Sequence, residues 1–188
     1  MIKKKKGFTL MELLITLALM GIVAAAISTF FFSNYNTLFK VSKELDLQRE
    51  GERAIDFISK KAMESKGIGE IQPGINTLDQ NSITDVTKFV FKIPNQDVDD
   101  TTIKGNIFWL ETVEGKVQLN YSEGNFDSVN NSYIATGKTV ISTGIKSIEL
   151  KSSNFFKDAS NVEVTIQLEE GQEEKTINSI IYFRNKVD

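Results

Sequence analysis

The chemistry available to this sequence is concentrated at its start. Lys3, Lys4, Lys5 and Lys6 form a basic run, Gly7 follows, and Phe8 opens an apolar run reaching Phe32 with Glu12 as its one charged residue. A carboxylate placed in a bilayer costs about 2.5–3.5 kcal/mol even on the lenient insertion scale, so such a residue usually has a partner and a task. A second group, Asp97, Asp99 and Asp100, could offer oxygens to Ca²⁺. That segment lacks the glycine and distal glutamate of an EF-hand loop and reads as a solvated turn after Pro94. Among 188 residues there is no histidine and no cysteine. The Ser-His-Asp triad, HExxH zinc chemistry, thiol nucleophiles, cysteine-ligated metals and disulfides are all excluded. The sequence holds no phosphate loop and no supported pair of catalytic carboxylates. It therefore reads as a non-enzyme without cofactors.

The apolar run must be positioned by a helix. From Phe8 to Phe32 it is roughly 37 Å long at 1.5 Å per residue, enough to cross a hydrocarbon core of about 30 Å. The lysines abut one end only, so they stay cytoplasmic and the remainder faces outward. One reading is a plain single-pass anchor. Another is a secretory signal peptide cut after Ala24-Ala25-Ala26, before Ile27. The apolar run continues past those alanines to Phe30, Phe31 and Phe32, and both readings leave Glu12 unexplained.

The segment KKKKGFTLMELL resembles the cleavage and methylation signature of type IV prepilins and pseudopilins. The resemblance implies a leader of residues 1–7 and a cut between Gly7 and Phe8 by a membrane prepilin peptidase. It implies N-methylation of Phe8, and it makes Glu12 the family's assembly glutamate, paired with the Phe8 amine of a neighbouring subunit. An ion pair in a low-dielectric setting needs such a close opposite charge to offset desolvation. Pairing within one helix is the competing geometry, since amine and carboxylate lie about one turn apart. Gly21 falls where pilins commonly carry a helix glycine. Proline, common in the middle of this helix in major pilins, is missing before Pro73.

Helical periodicity continues through Leu38, Val41 and Leu45, then Ile55, Ile58 and Ala62, interrupted at Gln48, Gly51 and Glu52. We read one helix from about Phe8 to about Lys66, its second half amphipathic and packed on a sheet. Gly67 suits a C′ position, and the readings of Gly51 are a bend, a close backbone contact, or no role at all. Beyond Gly67 the period becomes two. Lys88–Ile93, Ile107–Leu110, Val117–Tyr121 and Val162–Leu168 read as strands, and Thr176–Phe183 closes a hairpin. Thr139–Leu150 holds one or two more around Gly144. Trp109 reads as core. The fold class is α+β: a long N-terminal helix on a C-terminal antiparallel sheet, as in pilins. The expected organisation is a leader (1–7), a transmembrane and assembly helix (8–33), an amphipathic helix half (34–66) and a β-rich head (67–188).

LDLQREGERAIDFISKKAMESKGI, VISTGIKSIEL and the terminal IIYFRN resemble the J-type pseudopilins and the related PilW minor pilins. The implied function is a structural, minor subunit of a type IV pilus or of a type II secretion or competence pseudopilus. Its implied partners are other pilins and the peptidase, with no small-molecule substrate and nucleic acid not indicated. It would sit in the cytoplasmic membrane with its head outside, then in a surface pilus or envelope pseudopilus. The alternative is a secreted or anchored adhesive protein outside any filament.

Overall fold

The computed structural model describes residues 9–74, 76–94 and 103–184. The chain divides into two compact units, Met1–Ser42 and Lys43–Asp188. A single helix, α1, runs unbroken from Leu10 to Met63 over 54 residues. In the first unit every described residue is exposed, with Leu10 79% and Phe32 71% accessible.

In the second unit the helix buries Leu47, Gly51, Ala54, Ile55, Ile58 and Ala62. This is the i, i+4, i+7, i+8 spacing of one helix face. The packed stripe thus starts at Leu47. Leu38, Val41 and Leu45, expected in it, are 70%, 46% and 49% exposed. Gly51 belongs to the stripe rather than interrupting it. A Cβ there would overlap Ile177 and stand 2.9 Å from Leu168 Cδ1, so glycine is what lets the helix approach the sheet.

Ten strands follow: β1 (Gly67–Gln72), β2 (Ser82–Ile83), β3 (Lys88–Lys92), β4 (Lys104–Val113), β5 (Lys116–Asp127), β6 (Ser132–Ala135), β7 (Thr139–Thr143), β8 (Ile145–Lys151), β9 (Asn161–Glu170) and β10 (Glu173–Tyr182). Their pairings are antiparallel. The strands form two sheets rather than the one expected. The first has the order β1-β3-β4-β5-β6 with β7 also on β5, and the second the order β10-β9-β8-β2. Alternation explains the second sheet's burial: Val162, Val164, Ile166 and Leu168 on β9 are all inaccessible, while their neighbours are not. The β4–β5 reversal needs positive φ at both central residues, supplied by Glu114 (51°) and Gly115 (78°).

The main core joins both sheets to the helix, with Phe89, Phe91, Phe108, Leu150 and Ile166 beside Ala54 and Ile58. Phe89 and Phe108 stack at 4.8 Å, and Phe57 meets Tyr121 edge-on at 4.9 Å. Gly67 is not a helix C′ residue. The helix ends at Met63 because Ser65 closes it, its N–H donating to Ala62 O at 2.9 Å and its hydroxyl to Lys61 O at 2.7 Å. Asn106 secures that end, donating to Ser65 Oγ (3.1 Å) and accepting from Tyr121 OH (2.8 Å). Gly67 instead opens β1 opposite Lys92.

The first sheet curls until its two edges meet through side chains. Glu70 on β1 accepts the Tyr133 N–H of β6 at 2.8 Å, the Ser132 hydroxyl at 2.8 Å and the Lys88 ammonium at 3.0 Å. Lys88 also donates to Tyr133 O at 2.8 Å. A carboxylate thus stands in for a missing strand ladder. Inside the curl Val90, Ile107 and Tyr133 form a second small core, with Trp109 half-buried against it. The Tyr133 ring lies where a Cβ on Gly105 would be, 2.8 Å from Cε1.

Candidate functional site

Gly7, Phe8 and Lys3–Lys6 lie outside the described residues, as do Asp97, Asp99 and Asp100. Among the described residues no group of three or more acidic side chains is placed to hold a metal ion. The site with resolved geometry is the start of α1.

There Thr9 and Glu12 form a capping box. Glu12 Oε2 accepts the Thr9 N–H at 2.9 Å and the Thr9 hydroxyl at 3.0 Å, and Glu12 N–H donates to Thr9 Oγ1 at 3.3 Å. The reciprocal bonds satisfy amides that a helix start otherwise leaves bare. The Thr-x-x-Glu spacing that would have announced this cap is present in the sequence. The cap holds the carboxylate at the helix tip and in one rotamer, one turn from where residue 8 joins the chain.

Beyond Glu12, no charged residue occurs from Leu13 to Phe39. The helix is long and apolar enough to cross a membrane. Five of its polar side chains bond to the helix's own carbonyls. Thr16 donates to Leu13 O (2.9 Å), Ser28 to Ala24 O (2.8 Å), Thr29 to Ala25 O (2.9 Å), Asn34 to Phe30 O (2.9 Å) and Thr37 to Ser33 O (3.0 Å). In lipid an unmatched polar group costs several kcal/mol, and these bonds remove that penalty without a partner helix. Glu12 is therefore the one group in the run whose charge needs something from outside it.

In the second unit the titratable groups are knit into structure. Burial opposes ionisation of Glu70, but the Tyr133 amide, the Ser132 hydroxyl and the Lys88 ammonium outweigh it and hold its carboxyl below the usual range. Burial, then the Glu70 charge, pushes the Tyr133 phenol up to about 12. Glu70 lines a cavity of about 770 Å³ that is also bordered by Asp79, Lys92, Phe126, Asn130 and Lys157. The Glu70 carboxylate is engaged with Lys88 and β6, and Asp79 with Lys157.

Residues 2–28 match the family model of the prokaryotic N-terminal methylation motif. The amino terminus is therefore type IV prepilin-like, and the chain is pilin-like in layout. No curated protein and no solved structure matches the chain.

Proposed function

We propose that this chain is a minor subunit of a type IV pilus or of a related secretion or competence pseudopilus. Prepilin peptidase would cut between Gly7 and Phe8 and methylate Phe8, leaving the protein anchored with its head outside the cytoplasmic membrane. Assembly would then proceed through the apolar helix, with Glu12 facing the Phe8 amine of a neighbour. The observation that carries this reading is the motif match over residues 2–28, together with an apolar helical run up to Phe39 whose one charge is the capped Glu12 carboxylate. The head supports a structural role, because the Glu70, Arg53 and Asn106 clusters tie strands and helix together. The J-type and PilW-like segments favour a minor subunit.

Amino-terminal sequencing of the mature protein tests the reading. Phe8 is the expected first residue, methylated on its nitrogen. Ile27 would mean a secreted protein freed from its helix, and Met1 a plain anchor. Either of those overturns the proposal.

A further inference from the structure

The sheet edges of the head are treated unequally. The β7 edge is occupied by the helix: Arg53 donates to Ile141 O through Nε (2.9 Å) and NH2 (2.7 Å), and Glu50 accepts the Thr143 N–H (3.3 Å). The β6 edge is held by Glu70 and Lys88. On β1, Thr77 Oγ1 donates to Ile71 O at 2.9 Å. Strand β2 is two residues long. Among the described residues, no such side-chain bond engages the outward backbone of strand β10 from Glu174 to Tyr182. It is 10 residues long, pairs with β9 in unbroken register, contains no proline and lies last in its sheet.

Its register fixes which groups face outward. The Phe183 N–H donates to Ser160 O, so odd-numbered residues face β9. By the alternation of an antiparallel ladder, the N–H and C=O groups of Glu174, Thr176, Asn178, Ile180 and Tyr182 then point to the open edge. Ile180 and Tyr182 are 54% and 60% exposed. Edges that proteins keep single usually carry charge or proline instead. Here the charges lie at the ends: Glu173, Glu174 and Lys175 open the strand, and Arg184 stands in the turn that follows it.

We propose that this edge pairs with the same edge of a second copy, antiparallel, with Ser179 on the two-fold axis. This register sets Thr176 opposite Tyr182 and Asn178 opposite Ile180, each pair exchanging both N–H···O bonds. On the inner face half-buried Ile177 meets Ile181. At both ends Glu174 faces Arg184, and no like charges oppose each other. Shifting the register by two residues either way loses the Glu174–Arg184 pairing. Such a pair has a two-fold axis, whereas subunits along one polar filament are related by a screw. The contact therefore joins copies that do not share a filament axis, and it does not depend on leader processing.

The test uses the full chain in detergent. With no native cysteine, Ser179→Cys should form a disulfide-linked dimer under mild oxidation, since facing non-hydrogen-bonded residues bring their Cα atoms to about 4.5 Å. Thr165→Cys, one strand inward, should stay monomeric. Asn178→Pro removes a donor that β9 does not use, so the circular dichroism should hold while sedimentation shows monomer. Arg184→Glu should weaken association about tenfold, through two like-charge contacts made by symmetry. Adding Glu174→Arg should restore it. Monomer at every concentration, equal crosslinking at residues 165 and 179, or a dimer indifferent to both Asn178→Pro and Arg184→Glu would overturn the proposal.

Discussion

Replacing Glu70 by alanine removes the group that joins the two edges of the curled sheet. Its side chain is 14% exposed and that of Lys88 16%, so the pair is largely withdrawn from water. Leaving one member of a buried pair alone typically costs about 3–5 kcal/mol. Lys88 would keep Ser132 Oγ at 2.9 Å and Tyr133 O at 2.8 Å, which places the expected loss near the lower end, about 3 kcal/mol. The assay is urea unfolding of the detergent-solubilised chain, followed by the fluorescence of Trp109, its one tryptophan. The carboxyl's folded pKa lies below the unfolded 4.5, so its contribution is present above about 4.5 and is lost as pH falls through the folded value. Wild type should therefore lose stability progressively below about pH 4.5, and Glu70→Gln should lose less over the same range. A cost below about 1 kcal/mol for alanine would refute the argument that a carboxylate replaces a strand ladder here. An acid profile unchanged by glutamine would do the same.

Three further outcomes follow from the helix. Gly51→Leu should destabilise the second unit by about 1–3 kcal/mol in the same assay, because Ile177 and Leu168 already fill the space beside it. Gly7→Val should leave a full-length precursor on mass spectrometry, since a branched side chain there blocks close approach by the peptidase; normal trimming would remove the assigned cut. Glu12→Leu and Glu12→Gln separate charge from cap. Gln retains a capping box, so if the charge governs assembly both variants should be cleaved yet missing from sheared filaments, whereas incorporation of Gln at the wild-type level would assign Glu12 to capping alone.

The helix and most strands were legible because they are regular. Val162–Leu168 alternates cleanly, and the structure places it in β9, while Ile107–Leu110 lies in the central strand β4. What escaped was local structure whose sequence signal is weak or whose cause is distant. Strand β1, GIGEIQ, has two glycines and a charge, and it exists because β3 pairs with it and Glu70 reaches β6. Strand β6 is four residues, short enough that no period can be counted. On the helix the spacing put Ile55, Ile58 and Ala62 on the packed face, but it began the stripe at Leu38 and treated Gly51 as a break in it. A glycine contributes no hydrophobicity to a pattern, yet here it marks the tightest contact of helix and sheet.

The same reasoning explains why the amino terminus could be read further than the head. In the first unit the decisive quantities are local: an unbroken apolar run, one carboxylate, and polar side chains that bond to carbonyls three or four residues back. Each is a short-range property, so sequence order nearly determines it. In the second unit the roles of Glu70, Arg53 and Asn106 are set by partners 63, 88 and 41 residues away. In a single sequence those three residues resemble any surface polar group. Their function is to end sheets and close a helix, and it becomes visible only once the strands they terminate are in place. That division leaves β10 as the informative exception. Its alternation was readable, but that its edge lacks the protection given to β1, β6 and β7 could be seen only by comparing all the edges at once.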